Sequence, residues 1–121
     1  MNAINWFEIP TLDFDRATAF YEHLFNQSLR RHAGGDGELA ILPYAGDGVG
    51  GALVSPGSMK PSPAGVLPYL NTPGDLDDWL RRVEDRGGCV VLPKTLIDAE
   101  IGYIATFRDT EGNLIGLHAA P

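Results

Sequence analysis

Positive charge is scarce in this chain. Nine Lys and Arg stand against sixteen Asp and Glu, giving a net charge of −7 and a pI near 4.7. An acidic surface repels phosphate backbones, so nucleic acid is excluded as an expected partner. Cysteine is nearly absent. The single Cys89 excludes an internal disulfide and fits a reducing, cytoplasmic setting. No apolar run approaches the roughly 18 to 20 residues that a membrane span needs. The opening residues, Met1 to Trp6, hold no basic stretch followed by an apolar one, so no secretory leader is expected. Histidine is also sparse, with three copies, which limits any imidazole-based metal site. What is present is ordinary for a soluble globular domain: 121 residues, 44% hydrophobic and 21% charged. Fifteen Gly and nine Pro punctuate the chain and imply short elements with many turns.

One pattern occurs twice. Asn5 to Ile9 reads as a strand, and Asp13 as a helix N-cap whose carboxylate accepts from free N–H groups of the first turn. Ala17, Phe20, Tyr21 and Leu24 follow at i, i+3, i+4, i+7, one apolar helix face ending near Phe25 and Asn26. Three short strands come next: Ser28 to His32, which is the weakest, Glu38 to Leu42, and Val49 to Val54. The turns between them are read at 34–37 and 45–48. The second copy starts with a strand at Val66 to Asn71, with Pro68 marking an edge or irregularity. Asp75 is its N-cap, and Leu76, Trp79, Leu80 and Val83 repeat the helical spacing. Gly87 and Gly88 stop the helix. Strands are expected at Cys89 to Leu92, Gly102 to Arg108 and Leu114 to Ala119, with a loop at Lys94 to Glu100. Cys89 reads as inert packing in a buried strand. Both halves are βαβββ, module one at 1–55 and module two at 66–121, joined by a Pro/Gly/Ser linker at 56–65.

A sheet with one helix on one face leaves its other face to be covered. Two such modules packed together curl their sheets around a shared hollow, the natural place for a ligand. Trp6 to Pro10, Asp13 to Arg16, Ala19 to Tyr21, Gly50 to Leu53, and Asp109 to Leu117 together resemble the vicinal-oxygen-chelate superfamily of glyoxalase, bleomycin-resistance and dioxygenase proteins. The resemblance spans essentially the whole chain, in its single-domain glyoxalase-like branch. It implies an α+β fold of two tandem βαβββ modules with mixed sheets around a common hollow, and a homodimer.

In the metal-dependent members, His or Glu ligands come from the first and last strand of each module, where a Lewis acid must hold two neighbouring substrate oxygens. Carried onto this chain, those positions fall on Trp6, on Gly51 or Ala52, on Leu67 and on Gly116. None is a metal ligand. Their neighbours Phe7, Pro68, Ile115 and Leu117 are not ligands either. The expected cofactor is therefore none. Alternation puts Glu8 on the face of Trp6, His118 on the face of Gly116, and Tyr69 on the face of Leu67. Glu8 and His118 are the candidate acid/base pair, and Trp6, Tyr69 and Tyr103 the candidate ligand-binding aromatics. Tyr103 earns its place from the loop before it, which would cover the mouth of the hollow.

Three readings stand side by side. The chain binds a small organic molecule in the hollow without a catalytic metal. Alternatively it is a metal-dependent lyase or isomerase like glyoxalase I, or an extradiol-type dioxygenase. In the third it is a metal-free acid/base enzyme using Glu8 and His118.

Overall fold

The computed structural model describes residues 1–34 and 37–121. The chain divides into two compact units, Met1–Pro61 and Ser62–Pro121. The first holds β1 (Trp6–Pro10), α1 (Phe14–Phe25), β2 (Arg30–Gly34), β3 (Gly37–Ile41) and β4 (Gly50–Val54). The second holds β5 (Tyr69–Asn71), α2 (Leu76–Asp85), β6 (Cys89–Asp98), β7 (Gly102–Arg108) and β8 (Leu114–Ala119). Each unit is one four-stranded mixed sheet, ordered β1-β4-β3-β2 and β5-β8-β7-β6. The first and last strands of each unit pair in parallel, and the other pairs are antiparallel. This is an α+β fold built from two βαβββ modules. Neither helix is long and apolar enough to cross a membrane.

Both helices form for the reasons legible in their sequences. Asp13 accepts from Arg16 N–H at 3.0 Å and Asp75 from Asp77 N–H at 2.9 Å, so each N-cap carboxylate satisfies a first-turn donor. The buried face of α1 is Phe14, Ala17, Thr18, Phe20, Tyr21 and Leu24, and that of α2 is Leu76, Trp79, Leu80 and Val83. Both helices close alike. Asn26 takes the left-handed conformation at φ 56°, and Gln27 N–H donates to Glu22 O at 3.1 Å. After α2, Gly87 at φ 91° does the same, and Gly88 N–H donates to Val83 O at 3.0 Å. A left-handed residue turns the chain back so that the next N–H reaches a terminal carbonyl.

The strands differ from expectation in three places. β6 runs ten residues, to Asp98, and takes in most of the stretch expected as a loop from Lys94. It is an edge strand, so the missing N–H of Pro93 can face outward, and its register with β7 slips between Val90 and Leu92, between Leu92 and Thr95, and between Leu96 and Asp98. β5 is shorter than expected, three residues; its register with β8 starts at Tyr69, and Pro68, which has no N–H to give, accepts from Gly116 N–H at 2.8 Å. Cys89 is exposed, at the start of that edge strand, where a buried position was expected. Gly35 and Asp36, the centre of the turn read at 34–37, lie outside the described residues.

Candidate functional site

Strand register decides which side chains share a face. In the first unit Glu8 pairs with Ala52, Ala52 with Ile41, and Ile41 with Arg30. These four form one row across the sheet. A neighbouring row runs Pro10, Val54, Leu39, His32. The opposite face carries Ile9, Leu53, Ala40 and Arg31. That second face is the one under α1, since Arg31 lies 4.8 Å over the Phe14 ring and 3.5 Å from the Asp15 carboxylate. Glu8 and Trp6 therefore project from the helix-free face, and there Trp6 Nε1 donates to Glu8 Oε2 at 3.4 Å. Both side chains are exposed.

Trp6 pairs with Gly50, and a Cβ at Gly50 would stand 2.8 Å from the Tyr44 ring and 3.1 Å from the Trp6 ring. Glycine is thus what lets two aromatic rings approach over one backbone position. At the other end of the same face a cavity of about 470 Å³ is lined by Glu8, His32, Leu39, Val54 and Ser55, among others. It brings Glu8 together with His32, a residue not expected at the site because it sits in the weakest strand. Only the β2–β3–β4–β1 register reveals this neighbourhood, and a single strand's pattern does not encode it.

In the second unit Tyr69 pairs with Gly116 and Asn71 with His118, with Ile104 and Thr106 beside them on β7. This face is also helix-free. Leu70, Leu117, Ala105 and Phe107 are buried on the other. Tyr69 packs over Gly116, where a Cβ would stand 2.4 Å from its ring. His118 Nε2 is 2.6 Å from Ile101 O. A carbonyl only accepts, so Nε2 is the donor in this contact.

Tyr103 is not with them. It pairs with Ala119 on β8 and so shares the face of Ala105 and Phe107. Lys94 sits 4.7 Å over its ring and reaches Asp75 and Asp77 of the α2 start at 4.0 and 3.9 Å. The expected cover over the hollow at Lys94 to Glu100 is mainly strand, and Tyr103 packs on the helix side of the sheet.

Register also resolves the choice between Gly51 and Ala52. Ala52 shares the helix-free face with Glu8, whereas Gly51 lies under the Phe7 ring on the other side. The positions where the resemblance would place metal ligands then carry Trp6, Ala52, Leu67 and Gly116, none of which offers a donor atom for a divalent ion. Within either unit, among the described residues, no three His, Cys, Asp or Glu side chains gather closely enough to hold one. These side chains do not fit a bound metal.

Against known proteins, a model of the glyoxalase/bleomycin resistance protein/dioxygenase superfamily matches residues 3–117. The solved structure of TnmS3, an antibiotic binding protein from Streptomyces sp. CB03234, is 28% identical with a TM-score of 0.66, covering 100% of this chain and 98% of that one. A glyoxalase/bleomycin resistance protein from the same Streptomyces strain is 29% identical with a TM-score of 0.64, covering 96% and 99%. Another from Albidiferax ferrireducens T118 reaches a TM-score of 0.76 at 17% identity, covering 99% and 100%, which is a likeness of fold alone. No curated protein matches the chain.

Proposed function

The chain belongs to the glyoxalase/bleomycin resistance protein/dioxygenase superfamily, and we propose that within it this protein binds a small organic molecule on helix-free sheet surface, without a resident metal. One observation carries this reading. The positions that would hold a metal carry Trp6, Ala52, Leu67 and Gly116, an aromatic and apolar set. Aromatic and apolar sheet surface of this kind, within either unit, suits flat apolar compounds, and a few polar groups then fix their orientation. In the first unit Trp6 supplies a ring face and Glu8 a carboxylate for a basic nitrogen; in the second unit, taken by itself, Tyr69 supplies a ring face. Tyr103 is left out, because it packs on the helix side. The likeness over its full length to an antibiotic binding protein supports the same class of ligand.

The metal-free acid/base reading is weaker. The Nε2 proton of His118 is committed to Ile101 O, which favours an orienting or structural role for that ring. We place the protein in the reducing cytoplasm, on its single, exposed cysteine. We also propose that it pairs as a homodimer. The edge strand β6 exposes Val91, Leu96 and Ile97, and a small domain gains buried surface by covering such an edge. A single-chain mass in dilute solution would refute the dimer.

The test of function has two arms. Protein purified without chelator or affinity tag is analysed for metal by mass spectrometry, with and without added Ni, Zn, Mn and Fe. The expected result is far less than one ion per chain. In parallel, a W79F variant, with Trp6 as its remaining tryptophan, is titrated with a panel of aromatic antibiotics. Trp6 fluorescence is expected to change on binding, and E8Q is expected to weaken compounds bearing a basic nitrogen by roughly tenfold. One tightly held ion per chain would instead put the lyase and dioxygenase readings first.

A further inference from the structure

We infer that the first unit carries a second binding site, built around Arg30, that takes an aromatic carboxylate. It lies in a cavity of about 340 Å³ lined by Gln27, Ser28, Arg30, Ile41, Pro43 and Tyr44. Arg30 and Ile41 are register partners, so both project from the helix-free face of the sheet.

In a chain with sixteen acidic residues, Arg30 has no ion pair among the described residues. Arg31, its neighbour, lies within 4.0 Å of Asp15 and of Glu38. Alternation explains the contrast, because Arg31 faces α1 and Arg30 faces away. The side chains of Gln27, Ser28 and Tyr44 likewise make no hydrogen bond within the described chain. Four polar side chains thus converge on one cavity and spend none of their hydrogen-bonding capacity on each other. A guanidinium fork with amide and hydroxyl donors beside it matches the two oxygens of a carboxylate. The Tyr44 ring and the side chains of Ile41 and Pro43 supply apolar walls for the ring that bears it.

Two nearby negative groups are already satisfied. The terminal carbonyls of α1, Glu22 O and His23 O, accept from Gln27 and Asn26 N–H, at 3.1 and 3.2 Å. The Glu22 carboxylate accepts from Leu29 N–H at 2.8 Å. Glu8 shares the row of Arg30 but stands three strands away, roughly 14 Å at the usual strand spacing. The site therefore does not depend on Glu8 or on the ligand class proposed for it.

The full-length protein is titrated with 2-naphthoate and with its neutral isostere 2-naphthamide, followed by heteronuclear NMR. Naphthoate is expected to shift the amide signals of Gln27, Ser28, Arg30 and Tyr44. R30Q should weaken naphthoate by roughly tenfold or more, as loss of a charge-assisted pair does, and R30K should recover part of it. Naphthamide should bind wild type no better than R30Q. Arg30 is exposed, so R30Q is expected to keep the wild-type melting temperature. Should it unfold, R30K and the acid-to-amide ratio on the wild type decide. Equal binding of acid and amide, unchanged affinity in R30Q, or no naphthoate-dependent shift at these residues at millimolar ligand would each overturn the inference.

Discussion

Asp109 is a carboxylate that the chain has enclosed on purpose. It is 4% exposed, and its Oδ1 accepts from Glu111 N–H and Asn113 N–H, both at 2.9 Å. Its Oδ2 accepts from Asn113 Nδ2 at 3.1 Å. This one side chain supplies three hydrogen bonds to the turn from β7 to β8, beside the backbone bonds Asp109 N–H to Asn113 O and Gly112 N–H to Asp109 O. D109A leaves three donors unsatisfied at a buried place and should cost roughly 2–4 kcal/mol in urea unfolding. D109N, which keeps one acceptor oxygen, should cost less. G116A tests a different contact. Its new methyl must displace the Tyr69 ring, so the Tyr69 ring signals should move in NMR while the melting temperature changes little, because Tyr69 is exposed. Much of this scale was legible beforehand. Alternation alone put Glu8 on the face of Trp6 and His118 on the face of Gly116. Tyr103 was placed from the loop expected before it, and that stretch is mainly strand, so its face is set by the register of β7 with β8, which a single strand's sequence does not encode. Alternation missed the nearness of His32 to Glu8 and the exposure of Cys89 for the same reason.

Helices were legible because their information is local. A cap, an i, i+3, i+4 face and a left-handed stop all lie within one stretch of chain. D75A should remove one capping bond and cost about 1 kcal/mol, read as a fall in melting temperature. It also takes one of the two carboxylates near Lys94. β6 was only half legible. An edge strand answers to one neighbour, so it tolerates Pro93, carries irregular register and shows no apolar alternation over its length. Its second half therefore looks like loop in sequence. Amide hydrogen exchange should separate the two kinds of strand: β7 and β8, with buried residues between them, are expected to be protected far longer than Val91 to Asp98.

For the whole molecule, the duplicated pattern was the informative signal. Two N-cap aspartates, two matching helix faces and two terminal turns predicted two βαβββ modules, and two such sheets are present. The ligand was not legible, because the groups that meet at a site come from strands far apart in the chain. Net charge works at this scale too. With −7 overall, the chain should attract basic ligands more strongly at low salt, so raising ionic strength should slow their association.

The parallel pairing of first with last strand has a kinetic meaning. Trp6 meets Gly50, forty-four residues later, and Tyr69 meets Gly116, forty-seven later. Neither sheet can be finished from neighbouring hairpins alone. During synthesis, β1 must leave the ribosome and wait, unpaired, until β4 follows it out. β5 waits in the same way for β8. A nascent chain stalled before Gly50 would hold Trp6 to Pro10 as a loose strand, and the sequence of events in translation, more than the final contacts, would then govern whether it folds or aggregates.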